Sequence, residues 1–279
     1  MNAGFAASLL MLQSAAVAEP EIEPLTIGET ITLTVLDEAR KINVVLPTGY
    51  HDDPTRTWPT VYMLDGAREQ DLMLGVGIAG WNRLWGRSQP VIWVGIETKD
   101  RQREMLPPTL DDEESNRYPT AGESEEFREW LITKVTSTIE ARYRVNGTDY
   151  LVGESAAGHF VLETWVEAAS AFDGYAAISP SLQWNSEALS KRIEAQSGER
   201  APLYISVADE GGALESGVLR VVGSLEGTQE WCFSDRRADL KHATSLHGLL
   251  PEALQYLMPT GAAWLEGFGF TLRCDQKGS

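Results

Sequence analysis

The sequence predicts a single α/β domain with a mostly parallel, twisted sheet, an antiparallel N-terminal hairpin and helices on both faces. Two β-branched runs, 30–36 and 41–46, are separated by a polar Asp37-Glu38 turn, which is typical of a hairpin. After Pro47, short apolar strands alternate with helical stretches, the pattern of a parallel sheet covered by helices. The 279 residues, 43% of them apolar, can bury one large core, and no Pro-, Gly- or Ser-rich stretch marks a linker.

The remaining predicted elements follow in regular alternation. Strands are expected over residues 60–64, 91–96, 149–152, 174–178, 203–207 and 230–233. Helices are expected over residues 123–143, 156–169, 186–195, 212–225 and 251–257. The polar segment 101–122 contains a Pro-Pro pair and has no periodicity, so a long surface loop is expected there.

The charge balance limits the class of partner. With 23 Lys and Arg against 41 Asp and Glu, the net charge is −18, and the surrounding field repels polyanions. Nucleic acid is therefore not an expected partner.

The first eighteen residues predict a signal peptide. Segment 1–18 is apolar and ends in Ala16-Val17-Ala18, the small-x-small pattern that signal peptidase cleaves, although no Lys or Arg precedes the apolar run. A buried helix is the alternative. We therefore expect a main domain over residues 26–279 and a periplasmic or secreted location. No later stretch has 18 uninterrupted apolar residues, so no membrane span is expected.

The two cysteines do not predict a metal site. Cys232 and Cys274 show neither CxxC spacing nor a companion histidine, which excludes a recognisable zinc site. In an exported protein they could form a disulfide between the C-terminal tail and the last strand, with two unpaired core thiols as the alternative. Neither a metal nor an organic cofactor is expected.

Ser155 is the candidate nucleophile. A serine hydroxyl needs a sharp turn that exposes it, a base within hydrogen-bond reach and donors for an oxyanion. The stretch 149–158, DYLVGESAAG, runs from a predicted strand into a predicted helix through small residues, which favours a strained turn. Ala157 stands where the G-x-S-x-G motif has its second glycine. An N-cap serine is the structural alternative.

The base is expected to follow the nucleophile, because a serine on a strand–turn–helix element is followed in the chain by the acid and then the histidine. His51 precedes Ser155, and His159 lies one turn into the next helix, where a packing role is expected. His242 and His247 remain, both in the polar loop expected before the final helix. Spacing alone does not separate them.

Two neighbouring carboxylates are candidates for the acid. Asp209 and Glu210 come just past the carboxyl end of a late predicted strand, where a carboxylate can hydrogen-bond the imidazole and stabilise its protonated form. Acidic residues are also common in the first turn of a helix, and this structural interpretation fits at least one of the two.

Five segments carry a family resemblance: VYMLDG at 61–66, GIETKDRQREMLP at 95–107, GES at 153–155, ISPSLQW at 178–184 and DEGG at 209–212. With them, the chain resembles the putative esterase family of the α/β-hydrolase superfamily, which includes siderophore esterases, esterase D-like enzymes and mycolyltransferases. The similarity covers most of residues 35–257. It implies the α/β-hydrolase fold and a serine-esterase triad.

The resemblance also distinguishes between the triad candidates. In the family the catalytic histidine opens a segment that runs into a final helix ending in LRYL or similar, and LQYL at 254–257 stands at the matching distance from His242. The usual Asp/Glu-x-His-x-Ser is only partly kept around this residue, as LKHATS at 240–245. On the same basis Glu210 matches the family acid, with Asp209 as the alternative.

Further site residues come from the same resemblance. The stretch 65–71 is similar to the loop whose backbone N–H, one residue after the glycine, completes the oxyanion hole, which implies Ala67 together with Ala156. Arg68 and Trp184 are implied substrate contacts at the pocket rim. For Trp184, packing in the core is the alternative.

These residues lead to one hypothesis of function. Ser155 attacks an ester carbonyl while His242 takes its proton and Glu210 orients the imidazole, and water then releases the acyl group from the acyl-enzyme. The expected partner is a small-molecule ester. Acyl transfer to a sugar or lipid acceptor is the alternative within this class, and a non-catalytic secreted binding protein on the same fold is the alternative outside it. The sequence leaves the oligomeric state open.

Overall fold

A nine-stranded sheet organises the computed structural model, which describes residues 21–195, 200–225 and 230–278. The strands of this described part are β1 (Glu29–Val35), β2 (Glu38–Val45), β3 (Trp58–Met63), β4 (Ile92–Ile96), β5 (Val145–Glu154), β6 (Gly174–Ile178), β7 (Leu203–Asp209), β8 (Trp231–Lys241) and β9 (Gln276–Gly278). The predicted strands all exist, and the short edge strand β9 was not predicted.

The sheet is mixed and mostly parallel, as predicted. Its strand order is β1-β2-β4-β3-β5-β6-β7-β8-β9. The five neighbouring pairs from β4 to β8 are parallel, whereas β1–β2, β2–β4 and β8–β9 are antiparallel. The predicted N-terminal hairpin is present, and its turn residues Leu36 and Asp37 both have positive φ, which matches the twist of the two strands. The turn lies one residue earlier than predicted.

Helices cover both faces of the sheet. They are α1 (Leu72–Trp85), α2 (Arg101–Met105), α3 (Asp112–Arg117), α4 (Ser124–Trp130), α5 (Thr136–Arg142), α6 (Ala156–Glu167), α7 (Trp184–Glu194), α8 (Gly212–Ser224) and α9 (His242–Leu257), with a π-helical turn at Leu131–Val135 and a 3-10 turn at Glu266–Phe268. Residues of α1 and α9 join one apolar core cluster, and residues of α4 to α8 join the other. The two clusters lie on opposite faces of the strands, because alternate strand residues belong to each.

The predicted loop at 101–122 was wrong. This segment contains α2 and α3, and each short helix begins at an aspartate whose side chain accepts backbone N–H groups of the first turn. Asp100 accepts from the N–H of Arg103, and Asp111 accepts from two N–H groups. Side-chain capping explains why helices form here without an apolar period.

The end of the domain also differs from the prediction. The final helix was expected to begin at Pro251, but α9 begins nine residues earlier, directly after β8, so no polar loop precedes it. Pro251 lies inside the helix. Its carbonyl accepts a hydrogen bond of 2.9 Å from the side chain of Asn82 on α1. This tertiary contact ties the two helices together across the proline.

The structure joins Cys232 and Cys274 by a disulfide, which is one of the two states that the sequence allowed. The bond connects the start of β8 to the C-terminal tail just before β9. The predicted signal peptide at 1–18 lies outside the described residues. Within the described residues, no helix combines the length and apolarity needed to cross a membrane.

Candidate active site

Ser155 occupies a strained turn between β5 and α6. Its backbone has φ 62° and ψ −119°, a conformation that is rare for a residue with a side chain. The turn is fixed by hydrogen bonds, because the Ser155 N–H donates to the Ile178 carbonyl at 3.0 Å and the Ser155 carbonyl accepts from the N–H groups of His159 and Ser181, both at 2.9 Å. The neighbouring β6–α7 connection therefore holds the serine in place.

The small residues around Ser155 are required by close packing. A Cβ added at Gly153 would lie 2.7 Å from backbone atoms of Ala157, and one at Gly158 would lie 3.0 Å from the Ile178 carbonyl oxygen. Real Cβ atoms do not approach backbone so closely without a shift of the chain. The glycines thus let α6 start directly against the end of the sheet.

His242 lies next to this serine. It is the first residue of α9, and its Nε2 is 2.9 Å from the Ser155 Oγ. Its Nδ1 forms a short hydrogen bond with the Oε1 of Glu210, which follows β7. The Glu210 side chain is only 4% exposed, whereas that of His242 is 41% exposed. The structure therefore brings Ser155, His242 and Glu210 into one hydrogen-bonded chain that solvent can reach.

The alternative residues lie elsewhere. Asp209 forms an ion pair with Lys241 on the neighbouring strand end and does not face the imidazole. His247 is exposed on α9, one turn beyond His242. His159 is buried in α6, where burial lowers its pKa to about 4, so its position agrees with the packing role expected for it. His51 is exposed beside Tyr50.

A second carboxylate, which the sequence analysis missed, lies against His242. The Glu154 Oε1 is 3.5 Å from the His242 Nε2 and accepts a hydrogen bond of 3.1 Å from the Ser245 hydroxyl. Burial raises the pKa of the Glu154 carboxyl. Glu154 is the residue between glycine and serine in the GES string, so adjacency to the nucleophile was the available signal.

The two carboxylates act on the imidazole in the same direction. The hydrogen bond that the His242 Nδ1–H donates to Glu210 raises the pKa of His242 above its usual value, burial opposes this, and the charges of Glu154 and Glu210 raise the pKa further. A raised pKa means that the protonated imidazole is stabilised. This is the state that a base reaches after it takes a proton from a serine hydroxyl.

The two predicted oxyanion donors, the N–H groups of Ala156 and Ala67, differ in whether they already have a hydrogen-bond acceptor. Ala156 is the first residue of α6, so its N–H has no helical acceptor four residues before it. The Ala67 N–H, in contrast, donates to the side-chain oxygen of Gln70 at 3.0 Å. Gln70 is held in turn by the Thr98 carbonyl at 2.8 Å. A substrate oxygen at Ala67 would have to replace this side chain.

Arg101, to which the sequence assigned no role, connects two loops of the site. One is the stretch 65–71 between β3 and α1, called the Ala67 loop, and the other is the turn at Ser155. Its Nη2 is 2.9 Å from the Asp65 Oδ2 and donates to the Glu154 carbonyl at 3.3 Å. Gly66 follows Asp65, and a Cβ there would lie 2.3 Å from the Cα of Gly95. The loop is therefore pressed against β4 and tied to the residue before Ser155.

The two predicted substrate contacts differ in position. Arg68 is exposed, pairs with Glu69 and borders a cavity of about 450 Å³ between the Ala67 loop and the edge strands. Trp184 is 4% exposed, and its indole N–H donates to the Pro107 carbonyl at 2.9 Å. Its burial agrees with the packing alternative, Trp184 also lines a small cavity with Pro107 and His159, and its role as a substrate contact stays a prediction.

The described residues contain no group of three or more His, Cys, Asp or Glu side chains that could hold a metal ion. The side chains that meet at Ser155 supply a hydroxyl, an imidazole and two carboxylates.

Comparison with known proteins also relates this chain to esterases. A family model described as "Putative esterase" matches residues 34–239. Ferri-bacillibactin esterase BesA of Bacillus subtilis (strain 168) is 26% identical over 172 residues, which are 57% of this chain and 60% of that protein. The matched region thus spans less than two thirds of that relative.

Solved structures share the fold. The BES protein from Bacillus cereus has a TM-score of 0.72 and 16% identity, with 88% of this chain and 99% of that chain covered. An IroE-like serine hydrolase from Shewanella oneidensis has a TM-score of 0.70 and 20% identity, with 82% and 80% covered. The siderophore hydrolase EstB from Aspergillus nidulans has a TM-score of 0.71 and 18% identity, with 88% and 99% covered.

Proposed function

Because this chain belongs to the putative esterase family, we propose that it is a serine esterase that cleaves carboxylic esters through an acyl-enzyme. The observation that carries the proposal is the chain of hydrogen bonds from the Ser155 Oγ to the His242 Nε2, at 2.9 Å, and from the His242 Nδ1 to Glu210. A buried carboxylate that accepts from Nδ1–H leaves Nε2 free to accept the serine proton.

The proposed reaction has two steps. In the first, the Ser155 Oγ attacks the ester carbonyl, its proton passes to the His242 Nε2, and the imidazolium then protonates the leaving alcohol. In the second, a water molecule gives a proton to the same nitrogen and attacks the acyl carbon. The imidazolium then returns that proton to the Ser155 Oγ as the acyl C–O bond breaks and the carboxylic acid leaves. Glu210 keeps the ring oriented and stabilises its positive charge in both steps.

The tetrahedral intermediates carry a negative oxygen that needs donors. We assign the Ala156 N–H as one donor, because it opens α6 without a helical acceptor. We assign the Ala67 N–H as the second donor, which exchanges the Gln70 side chain for the substrate oxygen when an ester binds. Arg68, exposed at the mouth of the adjoining cavity, is proposed as a contact for the substrate.

The test is ester hydrolysis by the wild type and by Ser155→Ala. The panel contains p-nitrophenyl esters of increasing acyl length, an aromatic ester and a siderophore ester, since several relatives are described as siderophore esterases or hydrolases. We expect Ser155→Ala to lose hydrolysis of every ester that the wild type accepts. Ser181→Ala is the matched control, because this hydroxyl lies only 3.2 Å from the Ser155 Oγ and has no assigned role.

A fluorophosphonate probe separates chemistry from binding. We expect a covalent adduct on Ser155 in the folded protein and none in the alanine variant. Near-normal hydrolysis by Ser155→Ala, or a wild type that neither reacts with the probe nor hydrolyses any ester, would overturn the proposal.

We also propose that the protein is exported. The disulfide between Cys232 and Cys274 supports an oxidising compartment, because thiols in the cytosol are kept reduced. The measurement is N-terminal mass spectrometry of protein recovered from cell fractions. A chain that begins after Ala18 in the periplasm or medium is expected, and a full-length chain found only in the cytosol would contradict export.

A further inference from the structure

One surface of the molecule carries an uninterrupted group of exposed apolar side chains. It is formed by α1 and by the segment 259–272 that follows α9, and we call it the aromatic patch. Its most exposed members are Trp81 at 53%, Leu84 at 68%, Trp264 at 55% and Phe268 at 64%. Exposed apolar groups of this kind usually mark a contact surface.

The outward face of α1 differs from that of an ordinary surface helix. The exposed positions Met73, Gly77, Gly80, Trp81 and Leu84 are all apolar or glycine, and Arg83 is the single charged residue of the helix. Helices at the surface of soluble domains normally place charged side chains on this face. The helix is apolar on the inner face as well, where it packs on α9 and the sheet.

The aromatic side chains of the patch contact one another across the two segments. The Trp85 ring lies 5.8 Å from the Trp81 ring on its own helix and 5.6 and 5.5 Å from the rings of Phe268 and Phe270. The Trp264 indole N–H donates to the Trp85 carbonyl at 3.0 Å. These contacts make the patch one continuous surface.

The segment that supplies half of the patch is fastened at both ends. Pro259 pairs with Ser88 next to α1, and the Thr260 hydroxyl donates to the Gly86 carbonyl. At the other end, the Cys232–Cys274 disulfide binds the tail to the sheet. The exposed rings are therefore held in a defined position.

Charge distinguishes the patch from the rest of the molecule. Residues 72–87 contain two arginines and no carboxylate, and residues 259–272 contain Glu266 as their one charged residue. These thirty residues sum to +1 in a chain of net charge −18. An anionic surface, or a second copy of this chain, would be repelled by the net charge of −18, whereas a zwitterionic surface carries no net charge and is not repelled.

The chemistry of the exposed groups fits a phospholipid interface. Tryptophan and phenylalanine next to leucine and methionine are the side chains that enter the boundary between headgroups and acyl chains. The ammonium group of a zwitterionic lipid can also lie over an exposed indole ring.

We propose that the aromatic patch docks this protein on the surface of a zwitterionic phospholipid bilayer, without crossing it. The resulting orientation leaves the candidate active site accessible. α1 begins directly after the Ala67 loop and runs fourteen residues away from it, so Trp85 lies about 20 Å along the helix from that loop at about 1.5 Å per residue. The bilayer would meet the far end of the helix while Ser155 faces water.

The test is co-sedimentation of the exported form, which begins after Ala18, with phosphatidylcholine vesicles. Two variants address the two segments separately: Trp81→Gln with Leu84→Gln, and Trp264→Ser with Phe268→Ser. The control is Leu25→Gln with Leu110→Gln, since both leucines are 92% exposed and lie outside the patch. All proteins lack the apolar segment 1–18, which export is proposed to remove, so vesicle binding reports on the folded domain.

We expect the wild type and the control to bind vesicles, with a blue shift of tryptophan emission in the wild type, and each patch variant to lose at least about tenfold in partition coefficient. Circular dichroism and p-nitrophenyl ester hydrolysis verify that each variant is folded, and they report on the esterase proposal independently.

The proposal is overturned if the wild type does not bind the vesicles, or if folded patch variants bind them as the wild type does. Light scattering adds one decisive outcome: a wild-type dimer that the patch variants convert to monomer, together with no vesicle binding, would identify the patch as an interface between copies of this chain.

Discussion

Replacing Glu154 by glutamine tests whether the second carboxylate controls the protonation of His242. The substitution keeps the size and hydrogen-bonding capacity of the side chain and removes its charge 3.5 Å from the His242 Nε2. His242 must be neutral to accept the serine proton, so activity is lost as the pH falls through its pKa. Because the charge of Glu154 raises that pKa, its removal should lower it and preserve activity to lower pH.

The magnitude follows from the distance and the exposure. Since 41% of the His242 side chain is exposed, the dielectric response of water applies, and a unit charge at 3.5 Å then contributes about 1 kcal/mol. That corresponds to just under one pH unit, at about 1.4 kcal/mol per unit. Burial also raises the pKa of the Glu154 carboxyl, and its charge acts on His242 only while that carboxyl is ionised.

The assay is the pH dependence of kcat/KM for a p-nitrophenyl ester, measured from about pH 4 to 8, which brackets the ordinary pKa values of Glu and His. Glu125→Gln, an exposed carboxylate on α4, is the matched control with the same change in net charge. We expect the acidic limb of the kcat/KM profile to move to lower pH by up to about one unit in Glu154→Gln. In the control variant the acidic limb should stay in place. A limb that does not move, or that moves to higher pH, would refute the electrostatic reasoning.

Three further predictions concern the acid, the disulfide and the oxyanion loop. Glu210→Gln should lower kcat by about 10³- to 10⁴-fold with little change in KM, as measured with the same ester, because the imidazole loses its orienting charge; a loss below tenfold would contradict the role. Replacing Cys232 and Cys274 by serine should lower the free energy of unfolding in urea by up to about 4 kcal/mol for a loop closed over 42 residues, and reduced wild type should match the variant. Gly66→Ala should reduce kcat strongly in a folded protein, since the new Cβ would lie 2.3 Å from the Cα of Gly95; an unchanged kcat would show that the loop tolerates displacement.

The central strands could be predicted because they are buried on both faces. Every residue of β3, β4 and β6 is buried, and such strands are written in the sequence as short continuous apolar runs. The edge strand β9 has three residues, two of them exposed, and so carries no apolar signal. The local apolar pattern was therefore sufficient to predict the fully buried strands and insufficient to predict the edge strand β9.

Helix α1 could not be predicted because its sequence contains three glycines, which weaken helix propensity. Gly75 is present for a tertiary reason, since a Cβ there would lie 2.3 Å from the Trp93 ring on β4. Gly75 thus allows the helix to pack closely on the sheet, and the same glycine lowers the helix propensity on which a sequence prediction depends.

In the candidate site too, features set by local sequence could be predicted and features set by tertiary contacts could not. Ser155 could be predicted from local sequence, because a strand, small residues and a helix define its turn. Position in the chain alone did not separate Asp209 from Glu210, because both follow the same strand, and only the fold directs one toward Lys241 and the other toward His242. The hydrogen bond from the Gln70 side chain to the Thr98 carbonyl joins two loops that are distant in the chain, so local sequence could not predict it.

The position of His242 as the first residue of a sixteen-residue helix has an electrostatic consequence of its own. The aligned peptide dipoles of α9 place partial positive charge at this end, which disfavours a protonated imidazole by about 0.3–1 kcal/mol. Glu210 and Glu154 act in the opposite sense. The helix therefore offsets part of the stabilisation that the two carboxylates give to the protonated imidazole, whose pKa is raised on balance. Moving the start of α9 by a few residues would remove this opposition and leave a histidine that holds its proton more tightly.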